Sequence, residues 1–148
     1  MKKITYIDNM EKWQKEFSFF IPIKIRFSET DMYGHVNNVS PFIYFEEARI
    51  EFLKSVGLFT DAKREDGMPI VADLQCDYHK QMFFNDTLKL YVKANHVGNT
   101  SVDIHYMALN EAGDITLTGR GRLVHINPST GKPILLTDTM KEKLSRNG

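Results

Sequence analysis

A single cysteine, Cys76, leaves this 148-residue chain no means of closing an internal disulfide. That favours a reducing compartment, so the cytoplasm is the expected location. Net charge is missing as well, because 19 Lys and Arg balance 19 Asp and Glu. Without a basic excess there is no electrostatic footprint for nucleic acid or for an anionic membrane. No apolar run approaches the ~20 residues that a membrane helix needs. Residues 1–20 are interrupted throughout by Lys, Glu, Asp and Gln, which is unlike a signal peptide. Repeats, linkers and low-complexity tracts are absent. What remains is an ordinary mixture, 42% hydrophobic and 26% charged, in a length that suits one domain with a self-sufficient core.

Residues 1–20 read as an N-terminal arm that packs on the domain or on a neighbouring subunit. Asp8 or Asn9 is placed to cap a short helix over residues 10–17, and Trp13, Phe17 and Phe20 recur near helical spacing. The main domain spans 21–148. Residues 22–27 alternate, with Ile23, Ile25 and Phe27 on one face and Lys24 and Arg26 on the other, which predicts a strand. A helix is predicted over 40–56. Its apolar stripe is Phe42, Phe45, Ala48, Phe52, Leu53 and Val56; Ser40 is a candidate cap, Pro41 suits the first turn, and Gly57 is a natural stop. Arg49 shares the stripe and reads as packed through its stem or paired with Glu46. Residues 58–68 read as a loop.

Four strands follow, over 69–79, 87–96, 101–109 and 115–126, separated by turns at Asn85-Asp86, Gly98-Asn99 and 110–114. In the first of these, Ile70, Ala72, Leu74, Cys76 and Tyr78 are expected on one face. Gly119 and Gly121 fall on one face of the last strand, where close approach of the long helix would require small residues. Residues 127–133 form a turn, and 137–144 a final short helix. The economical packing is α+β: one long central helix wrapped by a curved, mainly antiparallel sheet of five to six strands. Such a sheet keeps two edges and one uncovered face, which oligomerisation would protect.

Between the first strand and the helix lies Glu29-Thr30-Asp31-Met32-Tyr33-Gly34-His35-Val36-Asn37-Asn38. A plain connection does not need that density of polar groups. A carboxylate just ahead of a helix N-terminus suits hydrolysis, since the acid activates or is a nucleophile while free N–H groups hold an oxyanion. The residues alone leave a second reading open, in which Asp31 is a carboxylate beside a helix start and Asn38 a cap.

Residues 26–38, together with Tyr44-Phe45-Glu46-Glu47-Ala48-Arg49-Ile50-Glu51-Phe52-Leu53, resemble the hotdog-fold acyl-CoA thioesterases of the 4-hydroxybenzoyl-CoA thioesterase type. The resemblance runs over about 21–133, through Tyr78, Asn85-Asp86-Thr87-Leu88, Gly119-Arg120-Gly121 and Val124-His125-Ile126-Asn127, and leaves the arm uncovered. It implies a hotdog fold and hydrolysis of a thioester to a free acid and coenzyme A, with no metal or redox cofactor. Acyl-CoA, or an acyl-carrier-protein thioester, is the implied substrate, bound at the subunit interface of a homodimer or homotetramer. Asp31 matches the catalytic aspartate, as nucleophile or general base. Asn38 matches a position whose side chain or backbone N–H contacts the thioester carbonyl, and Gly34 to Asn37 match the loop presenting both. Pro41 departs from the family, where an aromatic residue is common, and that bears on the acyl pocket.

Tyr33, His35, Asn37, Val39 and Tyr44 are the candidate substrate-binding residues. Core packing is an equal reading for the neighbouring Phe45; loop hydrogen bonding is the leading role for His35, and rigidifying the loop for Asn37. A catalytic triad is rejected, because Asp31 and His35 lack a Ser or Cys nucleophile. His79, His96, His105 and His125 show no ligand spacing, so no metal is expected. Cys76 reads as a packed thiol. Lys80, Arg120, Arg122 and Lys132 are candidates for the coenzyme phosphates, against a reading as solvated surface. Glu46 or Glu47 is the reserve acid, since some hotdog thioesterases use a helix glutamate. Two other classes compete: a non-catalytic acyl-CoA-binding hotdog protein, and a hotdog hydratase or dehydratase.

Overall fold

The computed structural model describes residues 2–58 and 67–147. Its elements in order are α1 (Met10–Lys15), β1 (Phe19–Lys24), a single 3-10 turn (Phe27–Glu29), α2 (Ser40–Ser55), β2 (Met68–Tyr78), β3 (Thr87–Val97), β4 (Ser101–Leu109), β5 (Ile115–Ile126) and α3 (Asp138–Asn147). The five strands form one antiparallel sheet in the order β1-β3-β4-β5-β2. Helix α2 lies in its concave face, the hotdog arrangement expected above. The loop predicted over 58–68 falls largely outside the described residues.

The core follows from the two periodicities. Phe45, Ala48 and Phe52 of α2 are wholly buried against Leu90, Ile104, Ala108 and Leu117 of the sheet. Each of the Phe, Leu and Ile side chains contributes about 1.5–3 kcal/mol by leaving water. Phe45 stacks on Tyr106 with ring centroids 4.4 Å apart. A Cβ at Gly119 would lie 2.5 Å from the Phe45 ring, so the helix does require a glycine there. At Gly121 the crowding comes instead from Asp73 and Leu74 of β2, so the second glycine answers to the neighbouring strand. Arg49 is buried with its guanidinium donating to the Tyr106 hydroxyl at 3.2 Å, and Glu46 stands 4.0 Å away.

Three expectations shift. The first strand ends at Lys24 because the Glu29 carboxylate takes the Arg26 N–H and bends the chain into the 3-10 turn. In β2 a bulge between Val71 and Asp73 leaves Ala72 unpaired. One extra residue reverses which face each side chain takes. Val71 therefore lies opposite the buried Leu123, while Ile70 lies opposite Val124 on the other face. Third, the sheet's outer face is not bare: Ile4, Ile7, Trp13 and Phe17 of the arm bury themselves there with Met107.

That outer face also carries polar groups. The Trp13 indole donates to His105 Nδ1 at 2.9 Å, so the ring hydrogen of His105 sits on Nε2, 3.0 Å from Asp103 Oδ2. Arg120 joins Asp103 to Asp73. Lys93, buried between the Trp13 and Phe17 rings, pairs with Glu16 at 2.9 Å. Asn9, one of the two predicted caps, accepts the Lys12 N–H at the start of α1.

Candidate active site

The stretch from Arg26 to Asn38 is a small, self-bonded unit. Thr30 bridges Val36, and His35 bridges Phe83. Asp31 N–H donates to His35 O at 2.8 Å, and Gly34 N–H returns to Asp31 O at 3.0 Å. Gly34 turns at φ +81°, a conformation that costs side-chain-bearing residues and suits glycine. Asp31 Oδ1 accepts the backbone N–H of Tyr33 at 2.9 Å and of His35 at 3.3 Å. Among the described residues, Oδ2 has no hydrogen-bond partner. One oxygen thus fixes the loop and the other is available for chemistry.

The helix entry is built by Asn37. Its Oδ1 accepts the N–H of Val39 at 3.0 Å and of Ser40 at 2.8 Å, so Asn37, rather than Ser40 or Asn38, supplies the capping side chain. Two of the helix's orphan N–H groups are occupied in this way. Asn38 keeps its N–H and side-chain amide without protein partners among the described residues. Its carbonyl accepts the Tyr78 hydroxyl from the end of β2.

A cavity of about 420 Å³ opens here, lined by Asp31, His35, Val36 and Asn38 on one side and by Tyr78, His79, Lys80, Gln81 and Met82 on the other. The fold brings Asp31, His35 and Asn38 together around it. It does not bring Tyr33 or Val39, which point outward at 75% and 61% exposure, nor Tyr44, which is 2% exposed and donates to Glu29 Oε1 at 2.9 Å. Asn37 acts on the backbone behind the cavity. Glu46 and Glu47 are exposed on α2, away from its lining.

The residues after Tyr78 were not marked as site-forming by sequence, apart from Lys80. Only the register of β2 against β5, with Tyr78 opposite Leu117, carries this segment to the helix entry. Of the four candidate phosphate contacts, Lys80 alone lines the cavity; it pairs with Asp114 at 2.7 Å. Burial pushes the His79 imidazole below its ordinary value, which keeps it neutral at pH 7, and the ring lies 2.8 Å from Thr118 Oγ1. Burial pushes the Tyr78 phenol up to about 12 and the Cys76 thiol up to about 12. Neither is a nucleophile at neutral pH. Among the described residues no group of three or more His, Cys, Asp or Glu is placed to hold a metal ion, and no helix is long and apolar enough to cross a membrane.

A helix lying in a five-stranded antiparallel sheet, with an aspartate loop and a cavity at the helix entry, defines a hotdog protein with a solvent-open polar site. The chain belongs to the thioesterase-like superfamily, which matches residues 25–144. It is 43% identical over 145 residues to the uncharacterized protein YsmA of Bacillus subtilis, covering 97% of each chain. A predicted thioesterase from Bacillus stearothermophilus superposes with a TM-score of 0.78 at 32% identity, covering 87% of this chain and 95% of that one. The DHNA-CoA thioesterase of Staphylococcus aureus superposes with a TM-score of 0.78 at 26% identity, covering 86% and 88%.

Proposed function

We propose that this protein is an acyl-CoA thioesterase, with Asp31 as nucleophile or general base and Asn38 as the group facing the thioester carbonyl. One observation carries the reading: Asp31 lines the cavity beside Asn38, held through Oδ1 by two backbone N–H groups while Oδ2 meets no donor among the described residues. A carboxylate fixed in this way loses little freedom on reacting. The thioesterase relatives named above, one of them acting on a coenzyme A thioester, support the same chemistry.

As general base, Asp31 takes a proton from water as the water oxygen bonds to the acyl carbon. The tetrahedral oxyanion then collapses, the carbon–sulfur bond breaks, and the thiolate leaves and is protonated. As nucleophile, Asp31 bonds to the acyl carbon, the carbon–sulfur bond breaks and the thiolate leaves to be protonated, and water then cleaves the resulting anhydride to the free acid and the Asp31 carboxylate. Because Asn37 already occupies the Val39 and Ser40 N–H groups, the helix-entry donors left for an oxyanion among the described residues are the N–H and side-chain amide of Asn38.

Exposed apolar side chains surround the site. Phe27, Met32, Tyr33, Val39, Ile43 and Phe84 are all more than half exposed. Water contact on that scale suits a surface that a second copy covers. The proposed assembly is a homodimer or homotetramer, with the coenzyme bound where the copies meet.

The test is a panel of acyl-CoA and acyl-carrier-protein thioesters read by free-thiol release, with wild type and Asp31→Asn in parallel. Asn retains an oxygen for the Tyr33 and His35 N–H groups, so the loop survives while the base is lost. Turnover by Asp31→Asn close to wild type overturns the assignment. Tight acyl-CoA binding with no turnover on any substrate makes the protein a binder, and hydration of an enoyl-CoA makes it a hydratase.

A further inference from the structure

Glu29 stands two residues ahead of Asp31, is 7% exposed, and lies outside the lining of the cavity. Its Oε1 accepts the Arg26 N–H at 2.9 Å and the Tyr44 hydroxyl at 2.9 Å. Its Oε2 accepts Arg26 Nε at 3.1 Å and Nη2 at 2.8 Å. Its main-chain carbonyl accepts the Asn37 N–H at 2.9 Å. One residue therefore joins the exit of β1, the second turn of α2 and the side chain that caps α2.

Resting on the thioesterase reading above, we infer that Glu29 is a positioning residue for hydrolysis, fixing Asp31 relative to Asn38 by clamping both ends of the loop to α2 through Tyr44. Asp31 and Asn38 belong to opposite arms of a narrow hairpin. Asn37 ties the second arm to the start of α2 through its cap, and Glu29 ties the first arm to α2 through Tyr44 and to the second arm through the Asn37 N–H. Four donors converge on the two carboxylate oxygens, an arrangement that only an ionised acid satisfies. Burial alone would oppose that charge, but the Arg26 backbone and guanidinium together with the Tyr44 hydroxyl outweigh it and hold the carboxyl below the usual glutamate range. Tyr44, read from sequence as a substrate contact, belongs to this clamp instead.

Glu29→Gln keeps the shape but turns an amide NH2 toward the donors of Arg26. Tyr44→Phe keeps the buried ring and removes only the tie to α2. Misplacing a catalytic group by about 1 Å costs on the order of a hundredfold in rate. The expected result is a kcat reduced about tenfold to a hundredfold in Glu29→Gln and less in Tyr44→Phe, with KM held within about twofold. Hydrogen exchange at the Asn37 N–H should quicken in both variants, while the sheet beneath the arm keeps its protection. Trp13→Phe, lying on the far face, serves as the stability control: it should lower Tm and leave kcat at wild type. The inference is overturned if Glu29→Gln and Tyr44→Phe turn over at the wild-type rate while Asp31→Asn is dead. It is also overturned if Trp13→Phe loses kcat in step with Tm to the same extent. An active Asp31→Asn is a different failure, since it removes the catalytic reading and this inference with it.

Discussion

The helix entry and the underside of the arm use the same kinds of side chain to opposite ends. Beneath the arm, Trp13, His105, Asp103 and Arg120 form a chain of hydrogen bonds in which each member faces another protein group, and His105 is 1% exposed. At the helix entry, Asp31 and Asn37 are also hydrogen-bonded, but only to backbone N–H groups, and Asp31 Oδ2 and the Asn38 amide are left over. Polar groups that are fully spent on one another rigidify a fold. Polar groups held by the backbone, with functional atoms to spare, are arranged for a ligand. The difference separates a closed network from an open one built of the same residue types.

The two regions should fail independently. The largest effect is expected at Asp31, where Asp31→Asn should lower kcat about 10²- to 10⁴-fold, the usual worth of a positioned base, with Tm unchanged by calorimetry. Trp13→Ala should do the reverse. Emptying that site should cost about 3–5 kcal/mol of stability in denaturant unfolding, with kcat on the best thioester preserved. Trp13→Phe is milder: it fills most of the volume but leaves His105 Nδ1 without its donor, for a cost of about 1–3 kcal/mol. A kcat that follows either Trp13 variant downward would break the separation.

The smallest effect is in acid, and it touches both regions. Glu29 and Asp103 each hold their carboxyls below the ordinary range: burial works against this, and hydrogen bonds to Arg26 and Tyr44 in one case, to His105 and Arg120 in the other, prevail. A depressed carboxyl contributes stability that is complete above its unfolded-state value of about 4 and is lost as pH falls through the lower folded value. Tm should therefore be insensitive to these groups above about pH 5 and fall below about pH 4. Glu29→Gln and Asp103→Asn should each flatten that fall in a Tm series from pH 6 to pH 3. Wild-type acid sensitivity in both variants would show that other carboxylates govern it.

Much of this was legible in the chain itself. Strands β4 and β5 follow from alternation and turn residues at their full lengths, and α2 from its apolar stripe to within one residue. Gly34 follows from the need for a left-handed turn, and the place of Asp31 beside the helix entry from its position just ahead of the helix. In β2 the expected face holds for Leu74, Cys76 and Tyr78 but not for Ile70, because alternation is a local signal and a bulge is invisible to it. Sequence does not reveal that the Tyr44 hydroxyl meets Glu29, because an aromatic near a site looks alike whether its hydroxyl meets a substrate or a buried glutamate fifteen positions back. The Tyr78-to-Met82 wall of the cavity carried no mark beyond a lysine, since only strand register brings it to Asp31.

The sequence determined the elements, the long helix in an antiparallel sheet, and the polar loop at the helix entry. These depend on spacing, turn residues and side-chain type, which are properties of neighbours along the chain. The tertiary structure decided which asparagine caps α2, which oxygen of Asp31 remains available, that the arm covers the outer sheet face, and that Glu29 ties the loop to the helix. The last two hang on pairings between residues far apart in sequence, Trp13 with His105 and Glu29 with Tyr44, which form only when the fold brings both ends within about 3 Å; the first two are choices among neighbouring donors that the packing of the loop decides.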